Sequence, residues 1–202
     1  MYNCIYAPHC MEDVCDASCP KWVETSYLLE RNGIAITNPV FHAPQSKIDA
    51  VNSKLDLLSG KLGVVVSSDT VQAADLYTYC AICRNWQGSR LHCTVYNLKY
   101  SKFLDDTKKS WSSRFEPESL EYTRIFTDTS KVLVISNLDY VNFKDFESQT
   151  LLNIIQQRRS DQKTTIVVCP NPGPNKLIGD NAFFIRLKEL LQAAPRVEVS
   201  FK

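Results

Sequence analysis

Charge of neither sign dominates this chain. Its 23 basic and 22 acidic residues leave a formal net charge of +1 over 202 positions. That removes the electrostatic case for strong general binding to nucleic acid, which rests on many phosphate contacts. A local basic patch stays open. No apolar run approaches the roughly 20 residues of a membrane span. The start, Met1-Tyr2-Asn3-Cys4, lacks the basic region followed by an apolar region that marks a signal peptide. A cytoplasmic protein with no membrane partner is expected. The sequence has no internal repeat and no low-complexity segment. Its three histidines, His9, His42 and His92, are far apart and show no recognisable nucleophile partner, so sequence offers no site for a nucleophile–base enzyme.

What is present is a regular frame. Five short apolar runs, Leu62–Val66, Leu91–Val95, Lys131–Ile135, Thr164–Val168 and Arg196–Val199, alternate with helical patterns. That rhythm predicts a parallel sheet covered by helices. Hydrophobic content of 44% suffices for a packed core. Helices are expected over Ser46–Leu58, Val71–Arg84, Lys99–Ser113, Glu118–Phe126, Asp145–Arg159 and Asp180–Ala193. The run Pro170-Asn171-Pro172-Gly173-Pro174 is a loop that cannot pair in a sheet. Two units follow. Residues 1–45 form a cysteine-rich region and linker with a short helix over Trp22–Glu30, and residues 46–202 form the α/β domain.

Four of the eight cysteines fall in the first nineteen residues, as Cys4, Cys10, Cys15 and Cys19. Four thiolates on a short chain can wrap a tetrahedral Zn²⁺. Bound metal would supply a segment poor in apolar residues with folding free energy on the order of 10 kcal/mol. The spacing is not that of a common finger, and an iron–sulfur cluster or reduced surface cysteines are the alternatives. The other four, Cys80, Cys83, Cys93 and Cys169, read as buried.

In a large class with this strand rhythm, the first strand ends in a phosphate-binding loop and the third in an acidic motif holding Mg²⁺. Here the first loop is Ser67-Ser68-Asp69-Thr70-Val71-Gln72. It offers no glycine for close backbone approach and no lysine for the phosphates. Asp69 puts negative charge where phosphates would sit, and Ser68 and Thr70 suit a helix cap. Gly60-Lys61 precedes the strand, whereas the loop must follow it. Asn137 stands where the third strand should deliver a carboxylate, with Asp139 two residues on. Asn171 follows the fourth strand, where such ATPases carry a polar sensor.

The runs Lys131–Leu138, Leu151–Arg159 and Lys163–Asn171 resemble the core of the DnaC/DnaI and IstB group of AAA+ ATPases, the replicative helicase loaders and their phage relatives. The cysteine cluster followed by Tyr27-Leu28-Leu29 resembles the zinc-bearing N-terminal region of DnaI-like loaders of phages and mobile elements. The resemblance implies a P-loop (AAA+) parallel sheet in the order 5-1-4-3-2, with strand one central. It also implies a replicative helicase or a loader-type ATPase as partner. Arg158, Arg159 and Arg186 are the candidates for the family's arginine finger or sensor arginine. Since the Walker A glycines and lysine and the Walker B acid are missing, ATP is not an expected cofactor.

The expected function is therefore a non-catalytic, helicase-loader-like adaptor in DNA replication. Tyr2, Ile5, Tyr6, Trp22 and Tyr27 are its candidate contact residues. A divergent ATPase on the same scaffold is one alternative. A single-stranded DNA-binding module is another, because Lys99, Lys102, Lys108 and Lys109 interleave with Tyr100, Phe103 and Trp111 as single-strand binders do. Asp105 and Asp106 lie within that run and weaken its potential.

Overall fold

A computed structural model of the protein describes residues 27, 30, 45–55, 59–67, 74–75, 77–79, 81–82, 95–113, 118–170 and 182–199. The four N-terminal cysteines, Cys80, Cys83 and Cys93, and Ser68, Asp69, Thr70 and Asn171 lie outside them. Tyr27 and Glu30 are helical and exposed.

The elements run α1 (Gln45–Lys54), β1 (Leu62–Ser67), β2 (Val95–Lys99), α2 (Tyr100–Ser112), α3 (Glu118–Thr129), β3 (Val132–Ser136), a 3₁₀ turn (Leu138–Tyr140), α4 (Asp145–Ser160), β4 (Thr164–Pro170), α5 (Ala182–Ala193) and β5 (Arg196–Val199). Residues 74–75, 77–79 and 81–82, after β1, are helical. The five strands form one sheet in the order β2-β3-β4-β1-β5, and every pairing is parallel. This is the expected order. The middle position, however, belongs to β4. The chain needs β1 only to be interior, flanked by β4 and β5.

The near-continuous apolar strands reflect burial on both sheet faces. Side chains alternate across the sheet, so Val64 and Val66 of β1 enter one core and Val65 the other. On Val65's side lie Ile48 and Val51 of α1, with Tyr77 and Tyr79 from the helical segment after β1. On the opposite side lie Tyr100, Phe103 and Leu104 of α2, Leu120 of α3, Leu151 and Ile155 of α4, and Leu187 and Leu191 of α5. The result is a sheet between two helical layers, the arrangement that parallel strands with helical crossovers dictate. Cys169 lies in β4, fully buried, and burial pushes its thiol up to about 12.

Several boundaries differ from the sequence expectation. Pro170, expected in a loop that cannot pair, ends β4 opposite Ser67, at a strand terminus where proline is tolerated, and α3 runs on past Phe126 to Thr129. The second strand is Val95–Lys99, not Leu91–Val95, and residues 91–94 are outside the described set. It pairs with β3 over five residues, from Val95 opposite Val132 to Lys99 opposite Ser136. Asn97 in its centre masks the strand pattern. The fold accommodates that buried amide because Ser136 Oγ donates to Asn97 Oδ1 at 2.8 Å. A buried polar group with a partner costs far less than one without. Consequently Lys99 closes a strand in extended geometry, and α2 starts at Tyr100. Finally, α1 ends at Lys54, short of Leu58. Gly60 then sits at φ +70° against the Gln162 backbone, so close that a Cβ there would collide with the Gln162 carbonyl. Glycine is the residue that adopts this conformation without a side-chain clash.

Arg158 is not available as an arginine finger. It is 1% exposed and lies under the amino-terminal end of the sheet. Its Nη1 donates to the Thr127 and Ser130 carbonyls at 2.7 and 3.0 Å. Its Nη2 donates to the Thr164 carbonyl at 2.7 Å, and its Nε to Thr165 Oγ1 at 2.9 Å. One guanidinium thus joins the end of α3, the entry to β3 and the first residues of β4. Arg159 and Arg186 are exposed.

Candidate functional site at the carboxyl edge of the sheet

In an open parallel α/β sheet the ligand crevice lies beyond the carboxyl ends of the strands, where connections diverge to opposite faces. Of the predicted nucleotide-site residues, the described ones at this edge are Asn137 and Asp139. Asn137 follows β3 in the left-handed conformation, φ 60°, ψ 34°. Asparagine tolerates that region better than most side chains. The turn it makes sends the chain into Leu138–Tyr140, where Leu138 is buried while Asp139 and Tyr140 are exposed.

A residue that sequence reasoning passed over joins them. Asp75 lies on the helical segment after β1, between the fully buried Ala74 and Tyr77. Burial is the largest influence on its carboxyl, followed by the lowering effect of the Lys99 ammonium and the raising effect of Asp139. Together they push it up to about 7. Its Oδ1 is buried with no hydrogen-bond partner among the described residues. The usable signal in the sequence was an acid inside the apolar run Ala73-Ala74-Asp75-Leu76-Tyr77. Asp75, Lys99 and Asp139 come from three elements that only the strand order brings to one edge. Among the described residues no cluster of three or more His, Cys, Asp or Glu could hold a metal ion.

The predicted basic run divides between environments. Lys99 ends β2 and is half-buried, in electrostatic contact with Asp75. Lys108 Nζ is 2.6 Å from Glu147 Oε1, while Glu147 Oε2 accepts the Lys144 backbone N–H at 3.1 Å, half of a capping box at the start of α4. Burial acts to raise the Glu147 carboxyl, but the Lys108 ammonium and these backbone donors bring it below its ordinary value. Lys102 and Lys109, seven residues apart, share the exposed side of α2 with Asp105, so that side carries both signs. Tyr100 and Phe103 are buried in the core. Trp111 is exposed, its ring edge-on to Phe146 at 4.9 Å.

No family model matches the chain, and no curated protein matches it. Solved structures do. DnaI superimposes with a TM-score of 0.54 at 13% identity, over 88% of this chain and 92% of that one. The replication initiator DnaA bound to AMPPCP and single-stranded DNA gives 0.53 at 16% identity, over 93% of this chain and 52% of that one. Domain III of the Thermotoga maritima replication initiation protein DnaA gives 0.52 at 13% identity, over 88% and 67%. The chain shares its fold with these DnaI and DnaA structures. At these identities the likeness is one of architecture, and the chain spans only about half the length of the DnaA structure bound to AMPPCP. Here the edge at the carboxyl ends of β1 and β3 presents Asp75, Asn137 and Asp139.

No helix among the described residues is long and apolar enough to cross a membrane.

Proposed function

We propose that this protein is a non-catalytic, helicase-loader-like adaptor of DNA replication in a phage or mobile element, acting through protein contacts on an AAA+ scaffold that has lost its nucleotide chemistry. The observation that carries the reading is the make-up of the carboxyl edge. Asn137 stands in left-handed geometry where a Mg²⁺-directing carboxylate belongs, and the half-buried Asp75 lies within electrostatic reach of Asp139 there. A phosphate site requires converging N–H donors and a cation. Among the described residues this edge has an amide, two carboxyls and one lysine, and the sequence Ser67–Gln72 after β1 contains Asp69 but no glycine or lysine.

The partner class follows from the scaffold. DnaI and DnaA domains share the fold, which supports a place among replication proteins, with a replicative helicase or a loader-type ATPase as the protein contacted. Cys4, Cys10, Cys15 and Cys19 lie outside the described residues. As a donor set, four soft thiolates within sixteen positions fit Zn²⁺. Such a metal would hold the N-terminal region folded and contribute no step of a reaction.

The reading predicts that the purified protein, carrying one zinc per chain, retains the replicative helicase of the same genome in a pull-down without added ATP. Retention should fall when the zinc is chelated. Failure to retain either the helicase or its loader, with the zinc in place, rules the adaptor out.

A further inference from the structure

A groove of about 300 Å³ opens at the opposite, amino-terminal edge of the sheet, between the start of β1, the last turn of α4 and the α5–β5 connection. Leu62, Leu190 and Pro195 contribute to its apolar floor, and Lys61 and Arg159 line it as well. A smaller cavity of about 90 Å³ continues it toward α1, sharing Lys61, Leu62 and Pro195 and adding Lys54. Lys54, Lys61 and Arg159 are all exposed. They are the only charged residues lining either cavity among the described residues, and all three are cations. Lys54 and Arg159 also occupy the last turns of α1 and α4, where the helix dipole favours cations. Lys61 lies in no helix and has no such local reason for its charge.

From this we propose that the groove is a docking site for an acidic, apolar segment of a partner protein. The occupant interleaves Asp or Glu with Leu, Ile or Phe. Burial of its apolar side chains against the floor supplies affinity, at roughly 25 cal/mol per Å² of area removed from water. The rim of three cations supplies selection by charge, favouring carboxylates and excluding basic segments. The site stands apart from the adaptor reading, because its residues do not belong to the carboxyl edge.

The test is selection of a random dodecapeptide display library on the full-length protein. Binding of each selected peptide is then measured to wild type, to Lys61→Glu/Arg159→Glu, and to Lys102→Glu/Lys109→Glu as a control with the same change in net charge elsewhere. All substituted positions are exposed, and unchanged melting confirms that both variants fold. The expected peptides carry interleaved acids and large apolar residues. They should lose about tenfold or more in affinity to the groove variant, less as salt rises, and little to the control. Three results overturn the proposal: no groove-dependent binder after selection, neutral or basic selected peptides, or equal binding to both variants. A single-stranded oligonucleotide bound by wild type and lost with Lys61→Glu/Arg159→Glu would also overturn it, by assigning the cations to phosphates.

Discussion

Replacing Arg158 by methionine should cost about 3–5 kcal/mol of folding stability, the loss seen when one partner of a buried charged network is removed. The reason lies in the number of acceptors on this one side chain. The Thr127, Ser130 and Thr164 carbonyls and the Thr165 hydroxyl all receive its N–H groups. Methionine matches the stem but leaves these buried acceptors unpaired, and each unsatisfied group costs about 1–3 kcal/mol. Burial lowers the guanidinium to about 10, while Asp128 and Asp161 act to raise it, so it stays charged at neutral pH. For a domain of this size each kcal/mol moves the midpoint by roughly 2–4 °C. Thermal melting should therefore fall by roughly 10 °C, whereas the exposed neighbour Arg159→Ala should change stability by no more than about 0.5 kcal/mol. Equal, small effects of the two substitutions would mean that Arg158 does not hold β3 and β4 to α3.

Asp75→Asn should make the protein more stable at pH 8, by a margin that shrinks to roughly 1.5 kcal/mol at pH 5 and closes only near pH 4. The Asp75 carboxyl is raised from 3.8 to about 7 in the fold. Its protonated form is thus the one the fold favours. The stability linked to it is fully present below the unfolded value and is lost as pH rises through 7. With about 1.4 kcal/mol for each pH unit between the two values, the cost above pH 7 is at most about 4 kcal/mol. Asparagine carries no charge at any pH and escapes it. Urea melts of both proteins between pH 5 and 8 should show the variant's advantage growing with pH. An advantage that is constant across the range would contradict the burial of Asp75 between Lys99 and Asp139.

Much of this architecture was legible because parallel strands buried on both faces have few ways to hide. Val64–Val66, Leu133–Ile135 and Ile166–Val168 are unbroken apolar runs, and the helices between them carry apolar residues at helical spacing. The second strand was obscured by Asn97, whose burial depends on Ser136 from a different strand. Arg158 read as a functional arginine because a cation near a helix end is ordinarily solvated. Only the tertiary fold supplies its carbonyl partners. The partners of Asp75 and the amino-edge groove were invisible for a related reason. Asp75 comes within electrostatic reach of Lys99 and Asp139, and Lys61, Arg159 and Pro195 line one groove, only because the order β2-β3-β4-β1-β5 brings distant segments to the same edge. The expectation of no phosphate loop, by contrast, rests on the local sequence Ser67–Gln72 alone, of which only Ser67 is among the described residues.

The proposed adaptor keeps a replication-protein fold without nucleotide chemistry. Calorimetric titration of the full-length protein with Mg·ATP and Mg·ADP, on a sample of measured zinc content, tests it most directly. No binding heat and no thermal shift are expected with either nucleotide. Micromolar binding of Mg·ATP would contradict it and make the carboxyl edge, with Asp139 beside Asn137, a working ATP site.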